Sequence, residues 1–267
     1  VCGVKIYLSK TTGNINVSSP AALVKVFNQP RPVLVHTGGH DGLEKILYFY
    51  NKAAGKFSDL PILYICHVST VSEIDLLKKW KRKYPSIMAE VTPHHLFLNR
   101  DDYKGLPGVL PPLAGKRDVD ALWESVCDGT VDIVGTDHAP HTWAEKKGQN
   151  PPAGFPGLET AFPLLLTAWK NGMLTLRTLL RLTSGAAGSF FKISDRTCVK
   201  PGLQADFAVF REGNFVIGEE GYETKSGWSP FHEVMTSYKP FITAVRGFAA
   251  YDSGFFYKNP VKAAQIS

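Results

Sequence analysis

The run Asp137-His138-Ala139-Pro140-His141 sets a carboxylate beside two imidazoles, and Gly154-Phe155-Pro156-Gly157-Leu158-Glu159-Thr160 follows closely. A carboxylate can bind a divalent cation and shuttle a proton, and imidazoles can bind metal or an anion, so this set suits metal-assisted hydrolysis. The run Val131-Asp132-Ile133-Val134-Gly135 reads as a buried strand that delivers Asp137. Other apolar runs end in similar groups: 32–36 in His36, 61–68 with His67 near its end, and 87–91 with Glu90, followed by His94 and His95.

The elements that must position these groups alternate along the chain. Strands are predicted at 4–8, 32–36, 61–68, 87–91 and 131–136, and helices at 20–27, 41–54, 70–83, 118–127, 158–171 and 174–183. Leu43, Ile46, Leu47 and Tyr50 make one apolar helix face, and Ser69 or Thr70 can cap the third helix. The alternation predicts a parallel α/β fold. Polar groups at strand ends match the C-terminal face of a TIM-type (β/α)8 barrel, where the βα loops build active sites. After about residue 195 the pattern changes, and 206–210 and 244–248 read as short β segments between turns. The expected organisation is therefore the C-terminal part of a barrel over 1–195 and a small β appendage with a tail over 196–267. Only five strand–helix units precede the appendage where a closed barrel needs eight, so N-terminal barrel strands are expected to be absent from this chain.

The 267 residues carry a net charge of +6, much of it in Lys78-Lys79-Trp80-Lys81-Arg82-Lys83. That run reads as a solvated helix end. With no recognition motif and no basic face interleaved with aromatics, no nucleic-acid partner is expected, whereas an anionic small molecule fits the charge. No apolar run is long enough to span a bilayer and no signal peptide is apparent, so no membrane association is expected. Cys2, Cys66, Cys127 and Cys198 form no CxxC pair and no disulfide-like spacing, which points to a reducing, cytoplasmic setting. Cys66 reads as a small buried residue within its strand.

Five runs, in order, carry a resemblance: Gly3-Val4-Lys5-Ile6-Tyr7-Leu8, Ile65-Cys66-His67-Val68, residues 90–98 (Glu90-Val91-Thr92-Pro93-His94-His95-Leu96-Phe97-Leu98), 137–142 and 154–160. Over residues 3–183, and weakly beyond, the chain resembles dihydroorotase of the amidohydrolase superfamily, especially the form fused in the multifunctional animal pyrimidine-synthesis protein. The resemblance implies a zinc-dependent cyclic amide hydrolase that interconverts N-carbamoyl-L-aspartate and L-dihydroorotate in pyrimidine biosynthesis. It implies that Lys5 is carbamylated by carbon dioxide and bridges two zinc ions. His36 and His67 would bind the second zinc, and Asp137 would bind the first and act as general base and acid. Glu90 would help to hold a third metal ion, with a structural carboxylate as the competing role. His141 and the backbone around Ala153 and Gly154 would meet the substrate carboxylate, and Thr11 and Thr12 would sit on a mobile loop covering the substrate. His94 and His95 are expected to build the loop after their strand, and His40 and His232 to serve packing or the surface. The partners implied are the small-molecule substrate, aspartate carbamoyltransferase or other pyrimidine-pathway enzymes, and further copies of the chain in a homo-oligomer.

Two departures stand against that pattern. The family's His-x-His metal pair lies upstream of the lysine, and no such pair precedes Lys5. Leu110, within Val109-Leu110-Pro111-Pro112-Leu113, occupies a place where relatives put an Arg or Asn against substrate. A missing charge-assisted hydrogen bond is worth roughly 1.5–3 kcal/mol. Two alternatives stay open: another cyclic amidohydrolase such as a hydantoinase or allantoinase, and a catalytically defective dihydroorotase-like scaffold.

Overall fold

Apolar side chains at alternate positions build one parallel sheet. Strands β1 (Val4–Tyr7), β2 (Val33–His36), β3 (Leu63–Ile65), β4 (Ile87–Val91) and β5 (Ile133–Val134) lie side by side in chain order in a computed structural model that describes residues 2–9, 15–105 and 108–257. Every neighbouring pair is parallel. Helices α1 (Pro20–Lys25), α2 (His40–Ala54), α3 (Val71–Lys83), α4 (Pro93–Phe97) and α5 (Lys116–Asp128) make the crossovers. Spatial order equal to chain order, with a helical crossover after each strand, is the wall of a (β/α) barrel, as the sequence predicts.

The two faces of this wall differ because side chains alternate along a strand. Val33, Val35, Leu63, Ile65, Ala89 and Val91 share one apolar cluster with Leu43, Ile46 and Leu47 of α2, Leu77 of α3 and Leu122 of α5. The opposite face holds a smaller cluster in which Leu34 and Met88 pack against Tyr64, Cys66, Ile133 and Phe190. The first face is the core; the second is the barrel interior and leads to the strand ends.

Past β5 come α6 (Trp143–Lys146), α7 (Ala161–Lys170) and α8 (Leu176–Leu180), which runs into a π-helical turn, Arg181–Gly185, and then α9 (Ala186–Phe190). The sequence places helices over 158–171 and 174–183; the first begins only at Ala161, and the second changes to wider π winding at Arg181. Strands β6 (Phe207–Val216), β7 (Met235–Val245), β8 (Phe248–Asp252) and β9 (Phe255–Phe256) form an antiparallel sheet. The expected β segment at 244–248 is instead the β7–β8 hairpin turn. Arg246 and Gly247 both have positive φ, 51° and 80°, and Val245 pairs with Phe248, which is the geometry of a two-residue hairpin loop. Between β6 and β7 the chain returns to the barrel, where Trp228 and Phe231 are buried and the Glu159 carboxylate accepts the backbone N–H groups of Glu223 and Thr224.

The basic run is less solvated than its sequence suggests. Lys81 Nζ donates to the Asp132 carboxylate at 2.6 Å and to the Thr130 carbonyl at 2.7 Å, and Lys78 pairs with Asp128 at 2.9 Å. These contacts tie α3 to the approach of β5, the strand that carries Asp137. Arg181 grips the same approach from the other side: its guanidinium donates to the carbonyls of Val131 (2.8 Å), Asp132 (3.2 Å) and Val126 (2.9 Å). Among the described residues no helix is long and apolar enough to cross a membrane. Replacing Arg181 by Met leaves three partly buried carbonyls without their charged donor, so urea unfolding of R181M should show a loss of about 2–4 kcal/mol; an unchanged midpoint would mean that water satisfies those carbonyls equally well.

Candidate active site

A cavity of about 320 Å³ opens at the C-terminal ends of the parallel strands, and Lys5, His36, His67 and Asp137 line it together. Parallel pairing places Lys5 opposite Leu34 and Tyr7 opposite His36, so these side chains alternate off the core face. His67 reaches the cavity by a different route. Leu63 and Ile65 face the core, so continued alternation would send residue 67 there too; a left-handed φ of 40° turns it instead. Asp137 also has positive φ, 44°. Such backbone costs about 1–3 kcal/mol per residue and gathers at functional sites.

The two histidines meet. His36 Nδ1 and His67 Nε2 are 2.8 Å apart, and His36 Nε2 lies 3.0 Å from Ser9 Oγ. His67 Nδ1 is buried and, among the described residues, has no hydrogen-bond partner. Burial, with the Lys5 ammonium nearby, lowers the His36 pKa to about 4. Burial and then His36 and Lys5 hold His67 well below the ordinary imidazole range. Both rings are therefore neutral near pH 7, the form that binds metal. Lys5 Nζ donates to the Cys66 thiol at 2.7 Å, and burial pushes that thiol up to about 12, with Glu90 adding to the rise. Partial withdrawal from water raises the Asp137 carboxyl, and Lys5 opposes the rise.

These donors fit a metal ion in part. Two nitrogens on one tetrahedral zinc, each bonded at about 2.0–2.1 Å, stand roughly 3.3 Å apart. The 2.8 Å contact between His36 and His67 needs only a small opening to reach that separation. Lys5 as an ammonium repels a cation and fits only as the carbamate. Among the described residues no cluster of three or more His, Cys, Asp or Glu side chains is tight enough to hold a metal. The described residues thus supply an imidazole pair with Asp137 and Lys5 on the same cavity, not a closed ligand set.

The remaining expected residues divide. Ala153 and Gly154 lie on the cavity. Gly154 has φ 136°, and a Cβ there would sit 2.5 Å from Ala139 Cβ and 3.3 Å from His141 Cδ2, so His141 borders the backbone it was expected to assist and glycine is required. Leu110 is on the cavity wall and 43% exposed. Thr11 and Thr12 lie outside the described residues. Glu90 is not on the cavity wall. Its two oxygens accept the Tyr64 hydroxyl (2.6 Å) and the His67 backbone N–H (3.0 Å), and burial raises its pKa. In this geometry Glu90 steadies the strained residue His67, which is the structural role weighed against a third metal.

Several supports were invisible to local sequence reasoning. Glu73 is fully buried; it accepts the backbone N–H and hydroxyl of both Ser69 and Thr70, and the Thr37 hydroxyl lies 3.5 Å away. Its capping box with Thr70 is a readable motif, but the link to Thr37, beside His36, is tertiary. His138 Nδ1 accepts from the backbone N–H groups of Gly157 and Leu158, both at 3.2 Å, and so pins the loop that follows Phe155. His95 bridges Thr92 Oγ1 (2.8 Å) and the Pro111 carbonyl (3.1 Å), and with His94 forms part of α4, as expected for loop-building residues.

The fold is that of the amidohydrolase barrels. The chain superposes on the L-hydantoinase (dihydropyrimidinase) of Arthrobacter aurescens with a TM-score of 0.85 at 20% identity, over 95% of this chain and 65% of that one. On the inactive dihydroorotase-like domain of the Chaetomium thermophilum CAD-like multifunctional protein the TM-score is 0.76 at 22% identity, over 100% and 72%. No family model matches. By sequence the chain is 41% identical over 199 residues to the dihydroorotase of Bacillus caldolyticus, covering 72% of this chain. It is 32% identical over 261 residues to the multifunctional protein CAD of Squalus acanthias, covering 94% of this chain and 11% of that protein. The chain is a relative of the dihydroorotases within the amidohydrolase superfamily, and it spans 46% of the length of the Bacillus caldolyticus enzyme.

The buried imidazoles set an acid limit on the fold. Burial holds His95 at about 4 against an ordinary 6.5, so between those values the unfolded chain binds the extra proton and stability falls as pH falls. His95 alone should cost about 2 kcal/mol on going from about pH 7.5 to about pH 5, and His36, His67 and His94 act in the same direction. Urea unfolding at the two pH values reads this directly; equal free energies would mean that the folded protein accommodates the protonated rings.

Proposed function

We propose that this chain carries the greater part of a dihydroorotase site, which closes N-carbamoyl-L-aspartate to L-dihydroorotate and opens it again. One observation carries this reading: Lys5, His36, His67 and Asp137, carried by four different strands or the turns just after them, share one cavity, and two of them are held there by left-handed backbone. The relationship to dihydroorotases supports the choice of ring.

His36 and His67 would hold zinc through neutral nitrogens, with Asp137 and a Lys5 carbamate as oxygen ligands; the carbamate requires carbon dioxide and release of Lys5 from Cys66. Zinc bound there would supply a Lewis acid and a water that ionises near neutral pH. Asp137 would take the proton of the attacking water and return it to the departing ring nitrogen, a task for which a carboxyl with a raised pKa is suited. His141, with the backbone of Ala153 and Gly154, would hold the substrate carboxylate, and Thr11 and Thr12 would cover it. A third zinc at Glu90 would require that carboxylate to leave Tyr64 and the His67 N–H. The proposal extends to a cytoplasmic homo-oligomer, divided at about residue 195 into barrel and β appendage, that works beside aspartate carbamoyltransferase or other enzymes of pyrimidine synthesis.

A second reading is a dihydroorotase-like domain that binds partner enzymes without turnover. It is favoured by Leu110, an apolar side chain on the cavity wall, and by the engagement of Lys5 with Cys66. A structural neighbour described as inactive gives that reading a precedent in fold.

Metal analysis of the full-length protein together with dihydroorotate hydrolysis separates the two: bound zinc with turnover supports the enzyme, and a folded, zinc-free, inactive protein supports the scaffold. Equal turnover of hydantoin would instead assign another cyclic amidohydrolase. Asp137→Asn should abolish turnover with an unchanged unfolding midpoint, and near-normal rates would refute the proton shuttle. Leu110→Arg should lower the KM for dihydroorotate roughly tenfold or more, the equivalent of about 1.5–3 kcal/mol; no change would remove Leu110 from the carboxylate subsite.

A further inference from the structure

Lys146, the last residue of α6, is sealed in the protein at 1% exposure. Its ammonium has three donors, and each finds a backbone carbonyl: Pro152 at 2.8 Å, Gly108 at 3.1 Å and Gly154 at 3.1 Å. The rings of Phe155 and Trp228 lie 5.5 and 5.9 Å from the same nitrogen. Burying a charge is costly unless its hydrogen bonds are met, and this cage meets all three. Desolvation pulls its pKa down, as expected for a cation held by dipoles alone.

The cage joins two stretches of chain that are distant in sequence, and it adds to the packing of Val109 against Phe155 and Trp228. Gly108 leads into Val109 and Leu110, and Pro152 leads into Ala153 and Gly154; all four of those residues line the cavity. The Gly154 N–H also donates to the Gly108 carbonyl at 3.0 Å, so that oxygen accepts from both. Trp228 completes the arrangement from the β6–β7 connection. Its indole Nε1 donates to the His141 carbonyl at 2.8 Å, and its ring meets Phe155 and Trp143 edge-on at 6.1 and 5.5 Å.

We propose that Lys146 and Trp228 form a latch that fixes the 108–110 and 152–154 loops as one anion-binding wall, with His141 held beside Gly154, which makes both of them positioning residues. The identity of the anion, the carboxylate of dihydroorotate, rests on the function proposed above; the latch rests on the geometry alone. Neither side chain lines the cavity, so neither touches the reacting atoms. Their effect is to hold the wall at a fixed distance from Asp137 and the two histidines, and it should appear in substrate binding and not in the chemical step.

The test compares Lys146→Met and Trp228→Phe with the unaltered full-length protein. In Lys146→Met, amide hydrogen exchange should quicken at least tenfold in peptides covering 108–113 and 150–156, while peptides from α2 and β4 stay within twofold. The KM for dihydroorotate should rise at least tenfold with kcat within threefold. Trp228→Phe keeps an aromatic ring and loses the indole N–H together with part of the ring volume, so it decides the matter if Lys146→Met does not fold: exchange should quicken over 138–142, with KM up at least threefold and kcat unchanged. Exchange that is unaltered, or that quickens throughout the barrel, would overturn the latch, as would a fall in kcat at constant KM. If the unaltered protein turns over no dihydroorotate, the proposed function fails, and the local exchange contrast still decides whether the latch exists.

Discussion

Everything at the site depends on burial of one face of a five-stranded parallel wall. Val33, Val35, Leu63, Ile65, Ala89 and Val91 leave water only if they all point to the helices, and each Val, Leu or Ile so buried contributes roughly 1.5–3 kcal/mol. The pleat then sends the residues between them to the other side. Lys5, His36 and Glu90 are on the interior face because their neighbours are pinned outside it. A shift of register by one residue would put these polar groups into the core, so the energy that fixes the fold also fixes the facing of the site.

Parity does not account for the whole cavity. His67 and Asp137 need left-handed backbone, an arrangement that surrounding contacts must sustain. Around His67 those contacts are visible: Glu90 accepts its N–H, and Glu73 binds the turn two residues further on. Glu73 also reaches Thr37, next to His36, so one buried carboxylate steadies the loops behind both imidazoles. Around Asp137, Arg181 and Lys81 hold the backbone that approaches β5, and His138 pins the 157–158 loop. The polar groups of the site are thus surrounded by others whose work is to hold backbone.

The C-terminal segment takes part in this second task. The β6–β7 connection returns Trp228 to the barrel, where it meets the His141 carbonyl and the ring of Phe155. The small sheet and the barrel are therefore coupled at the wall of the cavity and not only through the chain that links them.

The sequence by itself determined the parallel α/β class, the five strands in order, and the groups that could do chemistry, because period-2 apolar runs and His or Asp at their ends are local patterns. Its strands at 61–68 and 131–136 overran the observed Leu63–Ile65 and Ile133–Val134, and the left-handed backbone at His67, inside the first, leaves no trace in composition. The 244–248 turn was read as strand because arginine is not the residue usually found at positive φ in a hairpin loop. Tertiary structure alone decided that Glu90 engages Tyr64 and His67, that Lys5 meets Cys66, that Lys146 reaches the Gly108 carbonyl and that Trp228 reaches His141. The reason is physical: a hydrogen bond between groups tens of residues apart depends on the completed packing of both, and neither neighbourhood encodes it alone.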